Sequence, residues 1–168
     1  NFSIFSNHLE SWFRNFIYNI LVYDQIEQEI ERDVVVKITR TDNSLYKESI
    51  TTSSKSQNIS LSTSEQPGSW KILATSSDLS IEKNIFVEEL ELLNFSLENK
   101  TLIVKNIGNI QFKKAIEIAI GNVRKVEPLD LKVGEEKRFR LSAPEGEYPI
   151  SVLQDGKSHD VGTALLTG

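Results

Sequence analysis

Residues 33–40 read Asp33-Val34-Val35-Val36-Lys37-Ile38-Thr39-Arg40. Val34, Val36 and Ile38 occupy alternate positions, and β-branched residues fill most of the run. Successive side chains of a strand point to opposite faces, so this pattern predicts a strand with one buried face. The same period-two signal recurs on both sides of a series of turns. Strands are predicted at 45–52, 57–62, 69–76 and 80–88, and then at 92–97, 101–106, 115–120, 126–131, 136–142, 147–153 and 160–166. Between them stand turn formers such as Pro67-Gly68, Asn99-Lys100, Gly121-Asn122, Gly134 and Asp155-Gly156. These residues tolerate left-handed backbone or bond their own main chain. Many short strands at this spacing predict an all-β chain built of antiparallel sandwiches.

Before residue 33 two patterns compete. Phe5, Leu9, Trp12, Phe16 and Ile20 follow the spacing of an amphipathic helix, with Asn7 and Glu10 as a capping pair. Residues 16–23, FIYNILVY, are instead dense in aromatic and β-branched types. Two strands, at 2–6 and 12–23, are the expectation, with a short N-terminal helix as the alternative.

One internal similarity organises the rest. Ile59-Ser60-Leu61-Ser62 followed by Pro67-Gly68-Ser69-Trp70-Lys71-Ile72 resembles Phe139-Arg140-Leu141-Ser142 followed by Pro144-Glu145-Gly146-Glu147-Tyr148-Pro149-Ile150. Each is a strand, a tight turn, and a strand carrying an aromatic residue and then Ile on one face. Two tandem sandwiches are therefore expected, 1–88 and 89–168, meeting near Val87-Glu88-Glu89.

With these residues in view, two resemblances emerge. The segment from about residue 16 to 88, with Val22-Tyr23-Asp24-Gln25, the 33–40 run and Glu82-Lys83-Asn84-Ile85-Phe86-Val87, resembles macroglobulin-type or bacterial Ig-like repeats of prokaryotic surface proteins. The segment from 89 to 168, with Leu102-Ile103-Val104-Lys105-Asn106-Ile107-Gly108-Asn109 and Leu131-Lys132-Val133-Gly134-Glu135, resembles adhesion-type Ig-like domains. Those are CARDB-type modules and their relatives, found in archaeal and bacterial envelope proteins. The resemblance implies Ig-like sandwiches outside the cytoplasm, and structural roles for the V-x-N-x-G-N and L-x-x-G-E patterns. It implies no catalytic residue.

The 168 residues contain no Cys, which removes disulfide frameworks, thiolate metal sites and thiol nucleophiles. The net charge of −5 and the absence of a basic stripe speak against nucleic acid as a partner. Lys137, Arg138 and Arg140 directly follow Glu135 and Glu136, the pattern of a solvated strand. No apolar run is long enough for a membrane helix. With Asn1 first and no Met, the chain reads as a piece of a larger one, so any membrane attachment would lie in flanking segments.

Candidate chemistry is sparse. His8 and His159 lack the spaced partners of a zinc site. Glu27, Glu29, Glu31 and Asp33 would share a face if extended, and Glu88, Glu89 and Glu91 cluster at the junction, but no calcium-loop pattern is present. No Gly-rich phosphate loop and no Gly-x-Ser-x-Gly elbow occurs. Neither cofactor nor metal is expected. Sequons place Asn58, Asn94 and Asn99 as candidate glycosylation sites, alongside Asn1. Trp70 and Tyr148 are expected in cores rather than on a sugar-stacking face. Trp12 and Phe13 are candidate interaction residues, because neighbours on a strand face opposite ways. The expected function is a non-catalytic extracytoplasmic adhesion or spacer module, partnered by a protein or by neighbouring domains of the same surface protein. An accessory carbohydrate-binding module of a secreted enzyme is the alternative.

Overall fold

A computed structural model describes residues 2–8 and 14–168, with backbone alone at 2 and 4–8. The chain divides into two compact units, Asn1–Glu89 and Leu90–Gly168. Every described element is a strand, and all named pairings are antiparallel.

The first unit contains β1 (Phe2–His8), β2 (Asn15–Val22), β3 (Asp33–Thr39), β4 (Leu45–Thr52), β5 (Gln57–Ser60), β6 (Gly68–Ser76) and β7 (Leu79–Val87). They form a three-stranded sheet, β1-β2-β5, and a four-stranded sheet, β4-β3-β6-β7. The helical alternative for the N-terminus does not hold. Phe16, Tyr18, Ile20 and Val22 are all buried while Asn15, Ile17, Asn19 and Leu21 are less so, which is strand alternation. A helix over the same residues would separate Tyr18 from Phe16 and Ile20 by about 200°. The inward rows of both sheets meet in one core around Trp70, Ile72, Val36 and Ile38. Trp70 is completely buried, and its indole N–H donates to the Gln66 carbonyl at 2.8 Å, so its polar atom is satisfied inside.

The second unit contains β8 (Leu93–Glu98), β9 (Thr101–Asn106), β10 (Ala115–Ile120), β11 (Val123–Pro128), β12 (Glu136–Arg140), β13 (Gly146–Gln154) and β14 (Lys157–Leu166). Its sheets are β12-β9-β8 and β11-β10-β13-β14. The strand expected at 126–131 begins earlier, directly after the Gly121-Asn122 turn, and Leu131 makes only an isolated bridge to Phe112. The polar look of Val123-Arg124-Lys125 comes from its place on a sheet edge.

Counted within each unit, the strand order is the same, 1-2-5 against 4-3-6-7. Both units are antiparallel β-sandwiches of one topology. The internal similarity maps onto equivalent strands. Trp70 and Tyr148 are each third in a nine-residue strand, followed by the fully buried Ile72 and Ile150.

Candidate functional site

The residue patterns of the second unit meet at one point. Asn106 ends β9 with no exposed surface. Its side-chain amide donates to the carbonyls of Ile110 at 2.8 Å and Leu131 at 3.0 Å, and its side-chain oxygen accepts from Gly108 N–H at 3.0 Å. Its own backbone pairs with Glu135 and Gly134, both at 2.9 Å. The Glu135 carboxylate in turn accepts from Lys132 N–H at 2.9 Å. Asn109 accepts from Leu90 N–H at 2.6 Å through its side chain. Thus the V-x-N-x-G-N and L-x-x-G-E segments bond each other, and every polar atom of the Asn106 side chain is used. These residues build the domain; they are not free to bind.

What the interlock positions is the side of the second sandwich where the edges β11 and β12 face each other. There a groove of about 380 Å³ opens over Ile118, Ile120, Phe139 and Leu141, with Lys125 and Arg138 at its rim. Val123, beside it, is 70% exposed. The register explains the mixed lining. Lys125 lies opposite Ile118 and Lys137 opposite Val104, so both lysines occupy inward positions of edge strands. Lys137 sends its ammonium 5.0 Å from the centre of the Phe139 ring and donates to the Pro128 carbonyl at 3.2 Å. Lys125 pairs with Glu127 at 2.6 Å. Arg138, on the outward row, pairs with Glu136 at 3.0 Å, and this bond raises its pKa above the ordinary value. The groove offers an apolar floor under a charged rim, a shape suited to holding an apolar side chain of a partner.

The corresponding side of the first sandwich is bridged instead. Tyr46 of β4 reaches β5, where its hydroxyl donates to the Ser60 carbonyl at 3.2 Å, and its ring lies 5.0 Å from that of Trp70. Arg40 covers both rings, at 5.0 and 5.7 Å, and is anchored by Glu65 at 3.2 Å.

The residues singled out in the sequence fall as follows. Asn58 on β5, Asn94 on β8 and Asn99 in the β8–β9 turn are all exposed, and Asn99 has a left-handed φ of 54°. Asn58 belongs to the first unit, Asn94 and Asn99 to the second. Trp12 and Phe13 lie outside the described residues. His159 stacks on Phe95 with ring centres 5.2 Å apart. The carboxylates from Glu27 to Asp33 do not form a row. Asp24 accepts from the backbone of Ile26 and Gln28, each at 2.9 Å, folding residues 24–28 into a turn in which Glu27 has φ 63°. Among the described residues no group of three His, Cys, Asp or Glu is placed to hold a metal ion. Glu91 is bound to Lys114, which Asp155 also approaches at 3.7 Å. Trp70, fully buried, is withdrawn from any sugar-stacking face. The groove itself escaped the sequence, since Val123 and Lys125 fall outside the strand expected at 126–131; the signal was the Gly121-Asn122 turn followed directly by Val123 and Lys125 on one face.

No protein-family model matches the chain, and no curated protein matches it.

Proposed function

We propose that the chain is a non-catalytic, extracytoplasmic structural and adhesion module of a larger cell-surface or envelope protein, built of two Ig-like sandwiches that serve as spacer and protein-interaction scaffold. One observation carries this reading: the same sandwich topology occurs in both units. In each, the second strand pairs with the fifth and the third with the sixth. These are the pairings around which Ig-like sandwiches are built. A scaffold gains length by repeating a self-sufficient unit, and each unit here closes its own core. The motif residues of the second unit are spent on holding that unit together, as a spacer requires.

The test is surface proteolysis of intact cells of the native source. Trypsin added outside should cut after exposed lysines such as Lys132 and Lys157, with the fragments separated in denaturant, while a cytoplasmic marker stays uncut. Cutting only after lysis would overturn the proposal.

A further inference from the structure

We propose that the groove between β11 and β12 receives a tyrosine side chain from an acidic segment of a partner protein. The first sandwich shows what such a place holds. Each unit has the same side, between its fourth and fifth strands, and strand partners set the equivalence: Ile72 pairs with Ile38, and Ile150 with Ile120. In the first unit the chain fills this side itself. Tyr46 is the extra residue between Leu45 and Lys47 where the register of β3 and β4 shifts. Its ring packs on Trp70 while its hydroxyl donates to the Ser60 carbonyl.

In the second unit the source of that ring is missing. Residues 39–46 join Ile38 to its partner Lys47, whereas Gly121 and Asn122 alone join Ile120 to its partner Val123. The shorter hairpin has no place for Tyr46 or Arg40. The acceptor is kept. Leu61 N–H donates to the Arg14 carbonyl at 2.9 Å and Leu141 N–H to the Lys100 carbonyl at 2.8 Å, so the residue before each turns its own carbonyl away from the neighbouring strand. That residue is Ser60 in the first unit and Arg140 in the second. The Arg140 carbonyl thus stands at the open edge of β12, beside the apolar floor of Ile118, Ile120, Phe139 and Leu141. Phe139 stands where the first unit has the smaller Ile59, and the groove stays open beside it.

The ring has to come from another protein. Of the four tyrosines of this chain, Tyr18, Tyr23, Tyr46 and Tyr148, none is exposed, so a second folded copy has none to offer. Charge sets what surrounds it. Three cations, Lys125, Arg138 and Arg140, line the groove against one carboxylate, Glu127. Lys125 is held by Glu127 at 2.6 Å, and Arg138 by Glu136 and Glu98. Glu98 lies on the same sheet face as Arg140, with Thr101 between them, and is the one taken by Arg138. Arg140 is exposed and makes no ion pair among the described residues, which leaves its guanidinium to a carboxylate flanking the tyrosine.

The inference takes from the scaffold reading only that the partner is a protein, and its test is made in solution, so either can fail without the other. Fluorescence anisotropy of a labelled synthetic peptide, GDEYEDG, titrated with the full chain should show saturable binding with a Kd at or below about 1 mM. Replacing the tyrosine of the peptide by alanine should weaken binding about tenfold or more. Arg140→Glu and Val123→Glu, both at exposed positions, each set a carboxylate at the groove and should weaken binding about tenfold with unchanged circular dichroism. No saturation at millimolar concentration would overturn the proposal. So would equal binding of the alanine peptide, which would leave charge alone at work, or undiminished binding by both variants, which would put the peptide elsewhere. Sedimentation equilibrium supplies the remaining outcome. A wild-type chain that self-associates where both variants stay monomeric would assign the groove to a second copy and overturn the proposal as well.

Discussion

The side-chain amide of Asn106 donates to the Leu131 carbonyl, 25 residues further along the chain, across 3.0 Å. This bond ties the end of β9 to the loop that leads into β12, in a place that water does not reach. Replacing Asn106 by Ala leaves the Ile110 carbonyl without its partner, while the Leu131 carbonyl keeps the Phe112 N–H at 2.9 Å and the Gly108 N–H keeps the Leu92 carbonyl at 3.0 Å. The expected cost is about 2 kcal/mol, since one unsatisfied buried group costs about 1–3 kcal/mol and the other two groups each lose only a second bond. Urea unfolding followed by circular dichroism should show the second unit melting earlier. Tryptophan fluorescence, which comes only from Trp12 and Trp70 in the first unit, should keep its midpoint.

Two glycines of the same unit should separate steric from conformational cost. A Cβ on Gly108 would stand 2.1 Å from the Leu90 carbonyl oxygen, a contact that backbone must move to relieve. One on Gly134 would meet nothing within 4 Å, but φ there is +79°. Gly134→Ala should therefore cost about 1–2 kcal/mol, the ordinary penalty of left-handed backbone. Gly108→Ala should cost clearly more, about 3 kcal/mol or above. Equal midpoints for the two variants in urea would refute the distinction.

Trp70 fills the centre of the first core, so Trp70→Ala should destabilise that unit by about 3–5 kcal/mol. Its burial also predicts an optical result. In a Trp12→Phe background, Trp70 emission should be blue-shifted and poorly quenched by acrylamide, and soluble sugars should leave it unchanged. Quenching by a sugar would place this side chain outside the core.

Lys114 carries a pH prediction. The hydrogen bond from its ammonium to Glu91 raises its pKa above the ordinary 10.5, and Asp155 adds to the effect. A group whose folded pKa is raised contributes stability that is complete below the unfolded value and is lost as pH climbs through the folded one. Wild type and Lys114→Gln should thus differ in melting temperature at neutral pH, by a small amount at so exposed a pair. The two curves should converge as pH rises well past 10.5. A difference that persists there would assign the effect to packing of the lysine stem.

The strands from residue 33 onward were legible because alternation and turn chemistry agree there. Val34, Val36 and Ile38 are buried as their spacing predicts, and the turns at Ser77-Asp78, Asn99-Lys100 and Asp155-Gly156 each contain a residue with positive φ. The equivalence of Trp70 and Tyr148 was legible too, since an aromatic residue two places before a core Ile marks the same strand in both units. The N-terminus was ambiguous for a physical reason. Phe16, Ile17, Ile20 and Leu21 are apolar on both faces of β2, so the period of two is blurred and a helical spacing can be drawn through the same letters. The groove was hidden because Lys125 and Lys137 stand on the inward rows of edge strands, where a charged residue in the sequence looks like surface. The partner of Asn106 could not be read, because nothing local announces a bond to a carbonyl so far along the chain.

The interlock also bears on how the molecule survives cutting. Lys132, Val133 and Gly134 are exposed at the tip of the β11–β12 connection, where trypsin can reach the bond after Lys132. On one side of that bond Leu131 is held by Asn106 and Phe112, and on the other Gly134 and Glu135 are held by the Asn106 backbone. A single nick there leaves both new ends fastened to β9, so the nicked chain should stay together in native buffer and fall into two fragments only in denaturant.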